Sequence, residues 1–434
     1  MKRVAIIGGG PAGSMAAETL ARGGVRVTVF EEKSAWEKPC GGGIPPRALA
    51  RYPFLLDAVE EHQRLEDVEM VAATGASVRF RLRRPLVVYS RATLNQLLLR
   101  RAADAGAEVV SDRILNFRRQ GSGWRLEGRE RSYAADYLVL AAGARSRLRG
   151  LLAGHFAARD FMLTFGYYAP SDGNLLRVQF FEDFEGYAWA FPRPDHLSLG
   201  ICGKVGDSDM HGLQARLGDF IRQHGYGEAS THAPVFSHLL PALSMESWHN
   251  LRLAGSGWAL AGDAAGLADP VTGEGIYFAM RSGELLADAL LADAPESYPE
   301  RVWQDFGKML ALGARLARFF YRDHFWGKHP STRLVEFSIR SRSFKSLFED
   351  LIEGSQSYPG LAVRMYRTLA ISLGELALGA LRREWCAIIG RCPAASEPDQ
   401  GRQRSRGTKG WPFPRPHTSV RAVNPRNCSP ERSA

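Results

Sequence analysis

A glycine-rich loop sets between two elements constrains this chain most. Residues 4–8, Val-Ala-Ile-Ile-Gly, form a short apolar run with strand character. Gly8-Gly9-Gly10-Pro11-Ala12-Gly13 follows, and residues 14–22 then have helix-forming composition up to the stop at Gly23-Gly24. Residues 25–31 alternate as a second strand, ending on Glu31, 18 positions after Gly13. This is the pattern of a βαβ unit whose first turn cradles a dinucleotide. Gly8 permits the tight turn, Gly10 lets the backbone approach a pyrophosphate, and Gly13 allows helix and strand to pack closely. The helix N-terminus offers free N–H groups and the positive end of its dipole to the phosphates. Glu31 suits an adenosine ribose hydroxyl and would repel a 2′-phosphate, which favours FAD or NAD over NADP.

The rest of the composition is that of a soluble globular chain: 434 residues, 45% apolar and 24% charged. That excludes a collagen, a wholly disordered chain and a multi-span membrane protein. The net charge of +10 would permit a polyanionic partner, but it is unevenly placed. Residues 393–434 hold eight Lys/Arg and three Asp/Glu, hence +5, together with seven of the 23 prolines. Their only aromatics are Trp411 and Phe413, so this tail is expected to be disordered. The remaining +5 needs no nucleic acid to explain it, and none is expected as a partner. Five cysteines form no C-x-x-C pair, no metal-ligand spacing appears, and this sparse usage suits a reducing compartment. The opening apolar run breaks at Gly8, unlike a signal peptide, and no run of 18 apolar residues occurs. A cytoplasmic protein is expected. The stretch 361–383 has apolar residues flanked by Arg364, Arg367, Arg382 and Arg383. It reads equally as a buried helix or as an interfacial one docking at the inner face of a membrane.

Residues 92–105 carry helical spacing up to Gly106, and 108–111 and 113–117 read as strands. Residues 136–143, Asp-Tyr-Leu-Val-Leu-Ala-Ala-Gly, read as a buried strand, and 157–250 as aromatic-rich and β-rich. Residues 258–261 form a short strand running into Gly262-Asp263. Residues 275–293 read as helix, and 296–390 as mostly helical with breaks at His329-Pro330 and Tyr358-Pro359.

Three separated segments resemble the FAD fingerprints of the p-hydroxybenzoate hydroxylase-like flavoproteins. They are GGGPAG with Glu31, the 136–146 segment ending Ala-Arg-Ser, and Gly262-Asp263-Ala-Ala-Gly through Gly273-Glu274-Gly275-Ile276. Ala142-Gly143 stands where many monooxygenases of that group carry Asp-Gly. Two further segments resemble the geranylgeranyl reductase family: Cys40-Gly41-Gly42-Gly43, and Tyr187-Ala188-Trp189-Ala190-Phe191-Pro192 followed by Gly200. The resemblance covers roughly residues 1–330 and fades beyond.

It implies an α/β fold with an α+β second part: a discontinuous Rossmann-like FAD-binding domain over 1–150 and 251–295. Residues 50–90 would lie partly in a β-rich substrate domain over 151–250, followed by helices over 296–392 and the basic tail over 393–434. It also implies FAD contacts for Gly8, Gly10, Ala12, Gly13, Glu31, Cys40, Gly41, Gly43, Arg91, Asp263, Gly275 and Ile276. Asp263 could instead cap a helix, and Arg91 taken alone would be an exposed surface arginine. Tyr187, Trp189 and Phe191 fall at i, i+2, i+4, so a strand would turn all three to one face. The resemblance makes them, with Pro192, a wall for a polyprenyl chain; ordinary core packing is the alternative. Cys40 is the candidate catalytic residue, either as proton donor or as a small group shaping the pocket. No metal site is expected.

The activity implied is saturation of C=C bonds in a geranylgeranyl or polyprenyl chain, by hydride transfer from N5 of reduced FAD. NADPH, reduced ferredoxin or a quinol could supply electrons, and an electron-donor protein could be a partner. The substrate would be a prenyl lipid or prenyl diphosphate. The alternatives are an FAD-dependent monooxygenase or halogenase acting on an aromatic or apolar small molecule, and a basic membrane- or nucleic-acid-binding protein with a vestigial nucleotide fold.

Overall fold

Val4–Ile7 alternate with nothing: all four are buried, which places the first strand in the middle of a sheet covered on both faces. In the computed structural model that strand, Arg3–Ile7, pairs in parallel with Arg26–Phe30 on one side and Tyr137–Leu140 on the other. Glu108–Val110 extends the sheet beyond Arg26–Phe30, and Trp258–Leu260 beyond Tyr137–Leu140. Ala254–Gly255 closes the far edge antiparallel. The structure describes residues 3–371 except 34–35, 171–172, 208, 228–232, 356, 362, 366 and 369–370. The chain divides into a unit Met1–Ala380 and a unit Leu381–Ala434. The expected disordered tail and most of the 361–383 stretch lie outside the described residues.

The first helix begins three residues earlier than its composition suggests. Pro11 occupies its first turn, where the missing N–H costs nothing, and the helix runs Pro11–Arg22. It lies against the helix Ile276–Leu291. Four parallel strands of this sheet each deliver one sequence motif to the same end. The glycine loop follows Arg3–Ile7, Glu31 follows Arg26–Phe30, Ala141–Ser146 follow Tyr137–Leu140, and Gly262-Asp263 follow Trp258–Leu260. Ligands of open parallel sheets bind at that carboxyl end.

A second sheet has eight strands, in the order Val235–Pro241, Phe161–Ala169, Leu197–Lys204, Gly186–Pro192, Leu176–Phe180, Gln63–Val71, Ser77–Val88 and Gly43–Ile44. Its back packs on the helix Met210–Gln223 through Ala188, Ala190, Leu199 and Ile201. That helix was not anticipated inside the β-rich stretch. It buries Leu213, Leu217 and Phe220 completely, worth about 1.5–3 kcal/mol for each side chain. The Asp209 side chain starts it by accepting the Gly212 N–H at 2.8 Å. Against the strands Gln63–Val71 and Ser77–Val88 pack the helices Lys308–Tyr321, Pro330–Arg340 and Arg342–Glu353. Pro330 begins a helix rather than merely breaking one, and Ser341 separates the last two by capping the second through Phe344 N. A small antiparallel sheet, Ile114–Gln120, Gly123–Gly128 and Ser132–Ala135, completes the sheets among the described residues.

Candidate active site

At the carboxyl end of the parallel sheet the backbone leaves a cradle. Gly8 has φ +104°, and a Cβ there would lie 2.5 Å from the Ala141 carbonyl oxygen. A Cβ on Gly13 would lie 1.9 Å from the Gly8 oxygen, so helix and strand meet only because both are glycine. Gly10, by contrast, faces open space. No side chain caps the helix behind it, so its first N–H groups stay free for an anion. Glu31 braces the loop, its two oxygens accepting Gly9 N–H and Lys33 N–H at 2.8 Å each. A carboxylate offers about four lone-pair sites, which leaves acceptors for a ribose hydroxyl.

Arg91 is the first residue of the helix Arg91–Asp104 and is only 4% exposed, so it is no surface arginine. One terminal nitrogen reaches Asn95 at 3.3 Å, while its buried Nε has no partner. No carboxylate among the described residues lies within ion-pair distance of it. A buried guanidinium in that state needs an anion, and it lines the same cavity as the glycine loop. Glu37 sets its position. Its carboxylate takes Arg91 N–H at 2.8 Å and Ala92 N–H at 3.1 Å, and it pairs with Arg193. Burial works to raise the Glu37 carboxyl, but Arg193 and these bonds hold it below its usual value. Arg193, wholly buried, also donates to the Cys40 carbonyl, and Ser198 Oγ reaches the same oxygen at 3.2 Å. The Cys40–Gly43 segment is thereby anchored to the large sheet. The Cys40 Sγ accepts Gly42 N–H at 3.3 Å.

Asp263 does not cap a helix. Its Oδ2 accepts Lys38 Nζ at 2.7 Å. Burial pushes the carboxyl up, yet Lys38 beside it holds it below the ordinary range. His238 lies close to this pair, and burial together with Lys38 pushes its imidazole down. Gly275 caps the helix Ile276–Leu291 without any side-chain bond, so a second free helix N-terminus faces the crevice beside Asp263. Glu274 pairs with Arg47 on the helix Pro46–Arg51.

Strand alternation brings Tyr187, Trp189 and Phe191 to one face, as expected, and sends Ala188 and Ala190 to the other. Pro192 is a correction. The same alternation turns it away, and it is buried outside the cavity wall. Trp189 fits because Gly200 is its cross-strand partner, where a Cβ would lie 2.3 Å from the indole. Phe191 covers Gly43 in the same way, with a Cβ there at 2.7 Å. Tyr187 donates to the Thr272 carbonyl at 2.5 Å.

These groups line one cavity of about 1550 Å³, above the roughly 300–1,000 Å³ of a drug-sized site. Its wall changes chemistry along the molecule. The glycine loop, Glu31, Arg91, Lys38 and Asp263 form a polar end. Tyr187, Trp189, Phe191 and Cys40 follow, and then an apolar lobe. Val68, Met70, Val178 and Phe180 line that lobe from the sheet, and Phe320, Leu334, Phe344 and Leu347 from the C-terminal helices. Sequence reasoning missed Lys38, Glu37, Arg193, His238 and these helices as parts of the site. Only Lys38 carried a signal, its position two residues before Cys40. FAD fits the polar end: open backbone at Gly10, two uncapped helix N-termini and an unpaired buried guanidinium match a pyrophosphate and a ring that gains negative charge.

The comparisons agree. Residues 2–164 match the pyridine nucleotide-disulphide oxidoreductase family, an FAD-binding family. The chain is 30% identical over 320 residues to the chloroplastic geranylgeranyl diphosphate reductase of Oryza sativa subsp. japonica, covering 67% of this chain and 66% of that one. It thus spans just under two thirds of the length of the curated relatives it matches, 65–66%. A geranylgeranyl bacteriochlorophyll reductase-like protein of Thermoplasma acidophilum superposes with TM-score 0.68 at 20% identity, covering 85% of this chain and 100% of that one. The flavin-dependent brominase Bmp2 superposes with TM-score 0.63 at 18% identity, covering 81% and 93%. The last two likenesses show the fold. The sequence matches place this chain among the FAD-dependent oxidoreductases, with geranylgeranyl diphosphate reductases among its homologues.

Proposed function

We propose that the protein saturates C=C bonds in a geranylgeranyl or related polyprenyl chain. The observation that carries this reading is the single cavity that runs from a dinucleotide cradle past an aromatic wall into an apolar lobe. Bound FAD would supply a hydride from N5 of its reduced ring. The chain's own residues do the rest. Gly10, Arg91, Lys38 and Asp263 would hold the cofactor, with Glu31 at the ribose. The N-terminus at Gly275 would stabilise negative charge on the ring. Tyr187, Trp189 and Phe191 would hold one double bond against it, while Phe344 and Leu347 seat the remaining isoprene units and exclude water. Cys40, anchored through Arg193, shapes the junction between the two ends. A large lobe lined by Val68, Met70, Phe180, Leu334 and Leu347 favours this over hydroxylation or halogenation of a compact aromatic.

Electrons would come from NADPH, reduced ferredoxin or a quinol, and the head group would be a diphosphate or another polar cap. A lipid-borne substrate suits peripheral contact at a membrane surface. No helix among the described residues is long and apolar enough to cross a membrane. Phe319, Trp326 and Ile339 stand exposed on or beside the helices that roof the lobe, in keeping with such contact. The test is incubation of the holoprotein with a reductant and a panel of prenyl compounds. Products heavier by two hydrogens per reduced bond support the reading, and their absence across the panel contradicts it.

A further inference from the structure

We propose that Glu274 is the acid that delivers the proton to the alkene; this rests on the reductase reading above. Glu274 stands in the cavity wall, in the Gly273–Gly275 turn that opens the helix Ile276–Leu291. Its Oε2 is taken by Arg47, but its Oε1 is buried with no hydrogen-bond partner. The turn is pinned to the aromatic wall, because Tyr187 Oη donates to the carbonyl of Thr272. Glu274 is thus one residue from Gly275 at the helix N-terminus and two from Thr272, whose carbonyl takes the hydroxyl of the aromatic wall.

Apart from the Cys40 thiol, whose sulfur only accepts Gly42 N–H, the following proton carriers of this wall are committed elsewhere. Tyr187 and Tyr321 donate to the carbonyls of Thr272 and Val271, and Tyr358 donates to Asp269. Cys202 is buried and its thiol is pushed up to about 12. Asp263 is held ionised by Lys38. The groups facing Glu274 are Arg47, Asp269 and Tyr277. Burial pushes the Glu274 carboxyl above its usual value, against the pull of Arg47. Filling the lobe with an apolar chain removes more water and acts in the same direction.

In the step, the Glu274 proton forms a C–H bond at one alkene carbon and a hydride, taken from reduced flavin, forms the other. The π bond is consumed, the flavin ends two electrons oxidised, and the carboxylate stays paired with Arg47 until solvent reprotonates it. Charge building on the alkene before the hydride arrives would face the rings of Tyr187 and Trp189.

The test compares wild-type holoprotein with Glu274→Gln, which keeps an oxygen acceptor for Arg47. Anaerobic reoxidation of the reduced flavin by geranylgeranyl diphosphate is expected to slow about 100-fold or more, with FAD affinity unchanged within about twofold. Glu274→Asp, which keeps an acid, is expected to recover part of the loss. If wild type reoxidises and Glu274→Gln stays within about fivefold of it, Glu274 is not the donor and the reductase reading stands. If wild type itself does not reoxidise, the reductase reading fails and takes this one with it. An infrared readout is independent of turnover. Wild type with phytyl diphosphate bound should show a protonated-carboxyl band that shifts on ¹³C-glutamate labelling and is missing from Glu274→Gln, which separates it from the other carboxyls that burial pushes up, Glu185 and Glu349. Lack of that band overturns the proposal.

Discussion

Lys38 Nζ lies 2.7 Å from Asp263 Oδ2, joining two segments 225 positions apart across the dinucleotide crevice. Both side chains are mostly buried, at 19% and 12% exposure. The pair ties the loop before Cys40 to the turn after the strand Trp258–Leu260. Removing one partner leaves the other charge buried and alone. Lys38→Met is therefore expected to cost about 3–5 kcal/mol of stability, read by urea denaturation of the apoprotein. It should also weaken FAD binding in a fluorescence titration.

Acid should weaken the fold through the same cluster. Asp263 has its folded pKa below the unfolded value, near 3.9, so its contribution is present at neutral pH and is lost as pH falls through the folded pKa. The imidazole of His238 is also lowered, so below about 6.5 the unfolded chain takes up the proton first and stability drops as pH falls. His238→Gln is expected to flatten the fall in denaturation midpoint between about pH 6.5 and 4. An unchanged slope would show that His238 does not carry it.

Arg91 is expected to matter for cofactor binding more than for folding, because its Nε has no protein partner to lose. Arg91→Met should weaken FAD affinity by about tenfold or more, about 1.4 kcal/mol, with little change in apoprotein melting temperature. Equal FAD affinity in the variant would remove Arg91 from the site.

The lobe predicts chain-length selectivity. Leu347 is fully buried in its wall, and Leu347→Trp would fill part of it. The variant is expected to prefer a ten- or fifteen-carbon prenyl diphosphate, read as a rise in KM for the twenty-carbon chain. Gly200→Val attacks the other end, because a side chain there displaces the Trp189 indole. It should lower activity on every chain length alike.

Much of the cofactor half was legible because its signals are local. The glycine loop, Glu31 and Gly262-Asp263 each sit at a strand end, and a parallel sheet gathers such ends. Residues 187, 189 and 191 obeyed strand alternation, and the same rule, applied one residue further, would have removed Pro192. The helix Met210–Gln223 was readable too, from Asp209 before Leu213, Leu217 and Phe220 at helical spacing. What stayed hidden depends on distant partners. Glu37 meets Arg193 across 156 positions and Glu274 meets Arg47 across 227. The C-terminal helices read as helical, but nothing local shows that Phe344 and Leu347 face strands 63–71 and 77–88.

The central claim is that reduced flavin in this protein passes its hydride to a prenyl double bond. Stopped-flow absorbance of the reduced holoprotein, mixed without oxygen with geranylgeranyl diphosphate, measures that directly. The account predicts return of the oxidised flavin spectrum together with one saturated bond per flavin. A flavin that stays reduced until oxygen is admitted, leaving the chain unsaturated, would contradict it.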